Sequence, residues 1–199
     1  MTVLQAIPSV GFTDPVHDAQ RAFRGALDAF SHPGRPLQIG RQIAGLPLGA
    51  AMAHLLLAMT DPDTPVWWQA ESAAHWVRFH TGAGPAAQPL SAAFGVITRP
   101  ADMPALDDFA RGTTASPEFS TTLLIEVLSL DGGPALQWHG PGIQTARRVQ
   151  VAGLAPDFWT QWQANHAGFP QGVDVIFTCG DRAIGLPRTT RVARLEGIT

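Results

Sequence analysis

Leu123-Leu124-Ile125-Glu126-Val127-Leu128 is almost continuously apolar. A strand with one wet face alternates apolar and polar residues; one that does not alternate is covered on both faces, as in an α/β sheet. Downstream, Asp131-Gly132-Gly133-Pro134 is a strong turn and Ala135 to His139 a second strand, so the pattern predicts a hairpin. Pro156 to His166 is predicted helical, with Phe158, Trp159 and Trp162 on one side. Val173, Val175, Phe177 and Cys179 alternate with Asp174, Ile176 and Thr178 along another strand. Gly180-Asp181 then turns the chain into Arg182 to Leu186, and a last strand covers Arg191 to Leu195.

Upstream the chain is helical. Asp14 is placed to cap a helix running to Phe30, with Pro15 at its first position. Val16, Ala19, Phe23, Leu27 and Phe30 form its apolar stripe, the face expected to be buried, and His32-Pro33-Gly34 stops it. Pro36 to Ile39 reads as a short strand. A second helix from Pro47 to Thr60 is apolar around most of its circumference and is expected to be buried. Asp61-Pro62-Asp63 ends it. Val66-Trp67-Trp68 reads as a strand, Ser72 to Phe79 as a helix, Ala93 to Thr98 as a strand and Met103 to Ala110 as a short acidic helix. The expectation is an α/β fold, a mixed β-sheet flanked by helices, in one domain over 1–199.

Only 15% of the residues are charged, against about 25% in ordinary soluble domains. Such a chain leaves neutral or apolar surface showing, which suits an oligomer or a stable partner; a slightly Ala- and Gly-rich domain is the alternative. The net charge of −3 gives no pull toward nucleic acid or anionic lipid. The opening MTVLQAIPSVGFTDP lacks the pattern of a secretory signal, and the longest apolar run, Leu46 to Met59, is too short to span a bilayer. The expected location is the cytoplasm. The single cysteine, Cys179, excludes an internal disulfide and a Cys-x-x-Cys site. All 13 residues of the Lys+Arg count are arginine. Guanidinium cannot form a Schiff base, and a Walker A loop needs a lysine on the phosphates, so neither chemistry belongs to this chain acting alone.

No G-x-S-x-G elbow, H-E-x-x-H pair or dinucleotide glycine pattern is present. His75 and His80, five apart, project about 140° from one another on a helix and make no metal pair. His54 reads as a core or interface histidine, Cys179 as inert packing at a strand end, and Trp67, Trp68 and Trp76 as core or interface aromatics. His139-Gly140-Pro141-Gly142 reads equally as an anion-binding loop or an ordinary turn. Pro187-Arg188-Thr189-Thr190 sets a guanidinium beside two hydroxyls, which suits phosphate or carboxylate; a strand connection with a surface salt bridge is the other reading.

Several segments together resemble one family, the H subunit of bacterial carbon–phosphorus lyase (PhnH). The resemblance begins at Asp14-Pro15-Val16-His17-Asp18-Ala19-Gln20, Phe23-Arg24 and Ser31-His32-Pro33-Gly34. It continues through Asp63-Thr64-Pro65-Val66-Trp67, Arg78-Phe79-His80-Thr81, Gly112-Thr113, Pro117-Glu118 and Leu136 to Ile143. Its strongest block runs from Phe169-Pro170-Gln171-Gly172-Val173-Asp174 through Thr178-Cys179-Gly180-Asp181-Arg182 to Leu186-Pro187-Arg188-Thr189-Thr190.

The resemblance implies a fold similar to a reduced pyridoxal-phosphate transferase without the cofactor, and a homodimer. It implies work with subunits G, I and L in moving an alkylphosphonate to ribose C1′ of ATP with release of adenine, subunit J being the radical enzyme that later breaks the carbon–phosphorus bond. Subunit I is the expected direct partner. ATP and alkylphosphonate are then substrates of the assembly, and this chain itself is expected to hold no cofactor or metal. With no nucleophile beside a base, no catalytic residue is assigned. The candidate anion or partner contacts are Arg188, Thr189, Thr190, His80 and Asp174. Two other readings stand beside this one: a stand-alone hydrolase using His80 or His139 with an aspartate, and a module that binds a phosphorylated ligand.

Overall fold

The computed structural model describes residues 11–41, 45–46 and 48–195. The start expected for the second helix, Pro47, lies outside them. Four helices are described: α1 (Pro15–Ser31), α2 (Ala50–Met59), α3 (Ala74–Thr81) and α4 (Phe158–Ala167). The strands are β1 (Leu37–Gln38), β2 (Val66–Trp68), β3 (Phe94–Ile97), β4 (Thr122–Glu126), β5 (Ala135–His139), β6 (Arg147–Gln150), β7 (Asp174–Cys179), β8 (Arg182–Leu186) and β9 (Arg191–Arg194). They form a six-stranded mixed sheet in the order β1-β8-β7-β4-β3-β2 and a three-stranded antiparallel sheet in the order β6-β5-β9.

The apolar run sits where its composition requires. β4 pairs in parallel with β3 on one side and β7 on the other. Successive side chains of a strand point to opposite faces. Leu124 accordingly joins Val96 and Ile176 in the core beneath α1, α2 and α3, while Leu123 and Ile125 join Val175 and Phe177 in the core shared with α4 and the smaller sheet. The strand ends at Glu126, and Leu128 beyond it is 82% exposed.

Three expectations are corrected. Ala135–His139 does not form a hairpin with the apolar run: both edges of β4 are taken, and β5 pairs instead with β6 and β9 in the other sheet. Met103 to Ala110 is not one helix; Met103 and Ala105 are extended around Pro104, leaving only a 3₁₀ turn at Leu106–Asp108. The large apolar stripe of α1 is not its buried face. Asp14 caps the helix as expected, its carboxylate accepting from His17 N at 3.2 Å, but the side chains that pack are Ala22, Ala26 and Ala29.

Small residues let α1 approach β8 closely. A Cβ built at Gly185 would run into the carbonyl of Ala29, and Gly34 N–H donates to Gly185 O at 3.1 Å. Gly185→Ala is therefore expected to push α1 off the sheet. The cost is about 1–3 kcal/mol, read as a lower urea midpoint at unchanged m-value. An unchanged midpoint would mean that α1 shifts freely.

Candidate functional site

Arg188 is the most densely bonded side chain of the candidate set. It follows β8, and its guanidinium turns back under the start of β7. Nε donates to both Asp174 oxygens at 3.1 Å, Nη1 to the carbonyls of Pro117 at 3.0 Å and Pro170 at 3.3 Å, and Nη2 to Asp174 and the Ser120 hydroxyl. Its backbone N–H also meets Asp174 Oδ1 at 2.7 Å. All five guanidinium donors are engaged, and the pair is only 12% and 20% exposed. Neither a free anion contact nor a surface salt bridge describes this arrangement. It ties the loops around Pro117 and Pro170 to the sheet.

The other candidates are not gathered around a ligand space. Thr189 is half-buried in the turn. Thr190 is buried, with its carbonyl accepting from Trp162 Nε1 at 3.0 Å. Asp174 is committed to Arg188. His80 is exposed on α3, in the helical layer, with its ring against Trp76 and Phe79. The His139 loop serves as a seat for α1: a Cβ on Gly142 would strike the Ser31 carbonyl, and Arg147 Nη1 donates to Pro33 O at 2.7 Å. His139 Nδ1 lies 3.1 Å from Thr145 O. No group of three or more His, Cys, Asp or Glu side chains among the described residues is placed to hold a metal ion. No described helix is long and apolar enough to cross a membrane.

A cavity of about 540 Å³ lies between α1 and α2 and is lined by Asp14, Asp18, Arg21, Gln38, Arg41 and His54, among others. His54 is buried as expected, and burial lowers its pKa below the ordinary histidine value. Its Nε2 lies 3.1 Å from Arg41 O, and its ring packs edge-on against Phe12.

Glu126, the lone acid of the apolar run, points to the helical side because it alternates in step with Leu124. Its carboxylate reaches Gly49 N–H at 2.9 Å, at the start of α2, and so caps a helix whose N-cap glycine has no side chain to do it. Burial raises its pKa above 4.5, and the Gly49 bond opposes this more weakly. A carboxyl whose folded pKa is raised favours the folded state below the unfolded pKa and loses that contribution as pH rises through the folded value. Glu126→Gln keeps an oxygen for Gly49 and removes the charge. It should abolish this fall in stability with rising pH and match or exceed the parent at pH 7, as urea midpoints across the pH range would show.

Sequence reading missed three loop anchors. Gln69 accepts from Arg99 N at 2.7 Å and donates to Arg99 O at 2.9 Å. Asn165 bridges both backbone groups of Val173. Arg111 accepts Gly172 N–H at its carbonyl and pairs with Asp107 at 3.1 Å. Nothing local in the sequence marks these residues, because each partner is set by the tertiary fold.

The profile of the family described as "Bacterial phosphonate metabolism protein (PhnH)" matches residues 10–193. The chain belongs to this family. Every PhnH-like block read from the sequence, from Asp14 to Thr190, falls inside the matched range. A Rhizobium meliloti (strain 1021) protein, "Alpha-D-ribose 1-methylphosphonate 5-triphosphate synthase subunit PhnH", is 39% identical over 199 residues, covering 98% of this chain and 100% of that one. The "Putative C-P lyase subunit protein HtxG" of Stutzerimonas stutzeri is 34% identical over 176 residues, covering 87% of this chain and 85% of the relative.

Proposed function

We propose that this chain is the H-type subunit of a carbon–phosphorus lyase assembly for phosphonate catabolism. It works with subunits G, I and L in transferring an alkylphosphonate to ribose C1′ of ATP with release of adenine. The observation that carries this reading is the end-to-end likeness to a relative named as a synthase subunit. The chain's part is to hold other subunits, not to carry the reacting groups. Arg188, the cation best placed in sequence for a triphosphate, is engaged within the fold.

An exposed apolar stripe supports the subunit role. Val16, Phe23 and Leu27 on α1 are 75%, 49% and 53% exposed and stand on one side of the helix. We assign this face to subunit contact, in a homodimer or with subunit I, and place J in the same assembly. The parallel strands β2, β3, β4 and β7, with α1, α2 and α3 against one face and α4 and the smaller sheet against the other, suit a reduced pyridoxal-phosphate-transferase-like core. A chain without lysine has no amine to anchor that cofactor, so the residues present do not fit it. A cytoplasmic location follows from ATP as the assembly's substrate.

Co-expression with G, I, J and L tests the proposal. The parent chain should co-purify and support adenine release, whereas Phe23→Asp with Leu27→Asp should keep its melting temperature yet fall out of the assembly. Turnover of phosphonate and ATP by the isolated chain, or full assembly by the double variant, would overturn it.

A further inference from the structure

The free edge of β9 carries unpaired backbone groups beside a groove. β9 ends the smaller sheet and pairs only with β5. Leu195 N–H donates to Ala135 O at 3.1 Å, opposite it in the register, so Ala193 and Arg191 share that hydrogen-bonded phase. The N–H and C=O groups of Val192 and Arg194 therefore face away from β5, and among the described residues no hydrogen bond meets them. A groove of about 560 Å³ runs along this edge, walled by the β9 backbone and by Gln163 and His166 of α4. His166 is fixed in that wall by the contact of its Nδ1 with Arg188 O at 2.9 Å.

Of the residues that line the groove, only Arg191 and Arg194 carry a permanent charge. β5, β6 and β9 contain Arg147, Arg148, Arg191 and Arg194 but no aspartate or glutamate. Arg191 and Arg194 are exposed and form no ion pair among the described residues. A second copy pairing edge to edge would gather four of these guanidiniums on a two-stranded ribbon without a carboxylate, which like-charge repulsion opposes. The same charges that discourage self-pairing favour an acidic strand.

We propose that the β9 edge is a docking site for an extended, carboxylate-bearing segment of another polypeptide, which adds as a fourth strand to the β6-β5-β9 sheet. Main-chain bonds to Val192 and Arg194 supply the pairing; Arg191 and Arg194 project from opposite faces of β9, so an alternating acidic segment sets its carboxylates against Arg191, on the face away from the core residue Val192. This inference stands apart from the assembly reading, since it concerns a different face and asks nothing of phosphonate chemistry.

The test uses the full chain and labelled peptides that alternate valine with glutamate, valine with lysine, and proline with glutamate. The valine–glutamate peptide should bind and slow amide exchange at Val192 and Arg194, while the other two should bind at least about tenfold more weakly, the size of one lost charge-assisted contact. Arg194→Pro removes an N–H that points away from β5, so it should fold normally and lose the peptide. Arg191→Glu should reverse the preference toward valine–lysine. Equal binding of the two glutamate peptides would reduce the effect to bulk charge and overturn the proposal. So would undiminished binding by a folded Arg194→Pro variant, no binding of the valine–glutamate peptide, or an oligonucleotide that outcompetes it at the same amides.

Discussion

Arg188→Ala is expected to lower the unfolding free energy by about 3–5 kcal/mol, the range for breaking a buried ion pair by removing one partner. A surface pair would cost about 0–1 kcal/mol, and the 12% and 20% exposures of Arg188 and Asp174 decide between the two cases. Three losses combine. The Asp174 carboxylate loses its counter-charge, the carbonyls of Pro117 and Pro170 lose their donor, and Ser120 loses its partner. Arg188→Lys should recover little, because a compact ammonium has three donors and cannot reproduce a planar fork of five. The double variant with Asp174→Ala should be more stable than the sum of the single losses implies, since it leaves no orphaned charge. Urea unfolding of the four proteins at one pH and salt concentration measures the cycle. In the reconstituted assembly, activity should fall with the amount of folded chain while KM for the phosphonate stays unchanged. A fully stable Arg188→Ala protein with a raised KM would return this residue to anion binding.

The same residue marks where sequence reading stops. Arg188-Thr189-Thr190 supplies donors in any conformation, so the local pattern fits a phosphate loop and a structural clamp equally. What decides is the arrival of Pro117, 71 residues away in the chain, and of Pro170, 18 residues away. Features governed by neighbours in sequence were legible. The uninterrupted apolarity of β4 predicts a strand covered on both faces, and Asp14 and Pro15 predict the start of α1. Features governed by competition between distant segments were not. The turn before β5 is a good hairpin turn, yet β3 and β7 hold both edges of β4, and β6 had no pattern strong enough to announce it as β5's partner. α1 misled for a different reason. Weighting residues by hydrophobic size favours Val16, Phe23 and Leu27, whereas close approach to Gly185 rewards Ala22, Ala26 and Ala29. The large residues that the fold leaves outside are the ones a subunit surface needs.

Trp162→Ala should be about as damaging, at about 3–5 kcal/mol for truncating a large buried aromatic. Trp162 is fully buried and shares a core with Trp138, Trp159 and Val192, so the deletion opens a void where α4 meets the smaller sheet. Its indole N–H is also the donor to Thr190 O at 3.0 Å, immediately before β9 begins. Trp162→Phe separates the two contributions. It keeps much of the apolar volume but leaves that buried carbonyl unpaired, for about 1–3 kcal/mol. The expected order of urea midpoints is therefore parent, Trp162→Phe, Trp162→Ala. The damage should also be local before it is global. β4 is held on both edges by strand pairing, whereas α4 rests against β9 and the turn before it through side-chain packing, this bond and the contact of His166 Nδ1 with Arg188 O. Amide exchange in Trp162→Phe should quicken in α4 and β9 while β4 and β7 stay protected, and the β9 docking edge should weaken with them. Uniform acceleration across both sheets would instead mean that the two sheets open as one cooperative unit.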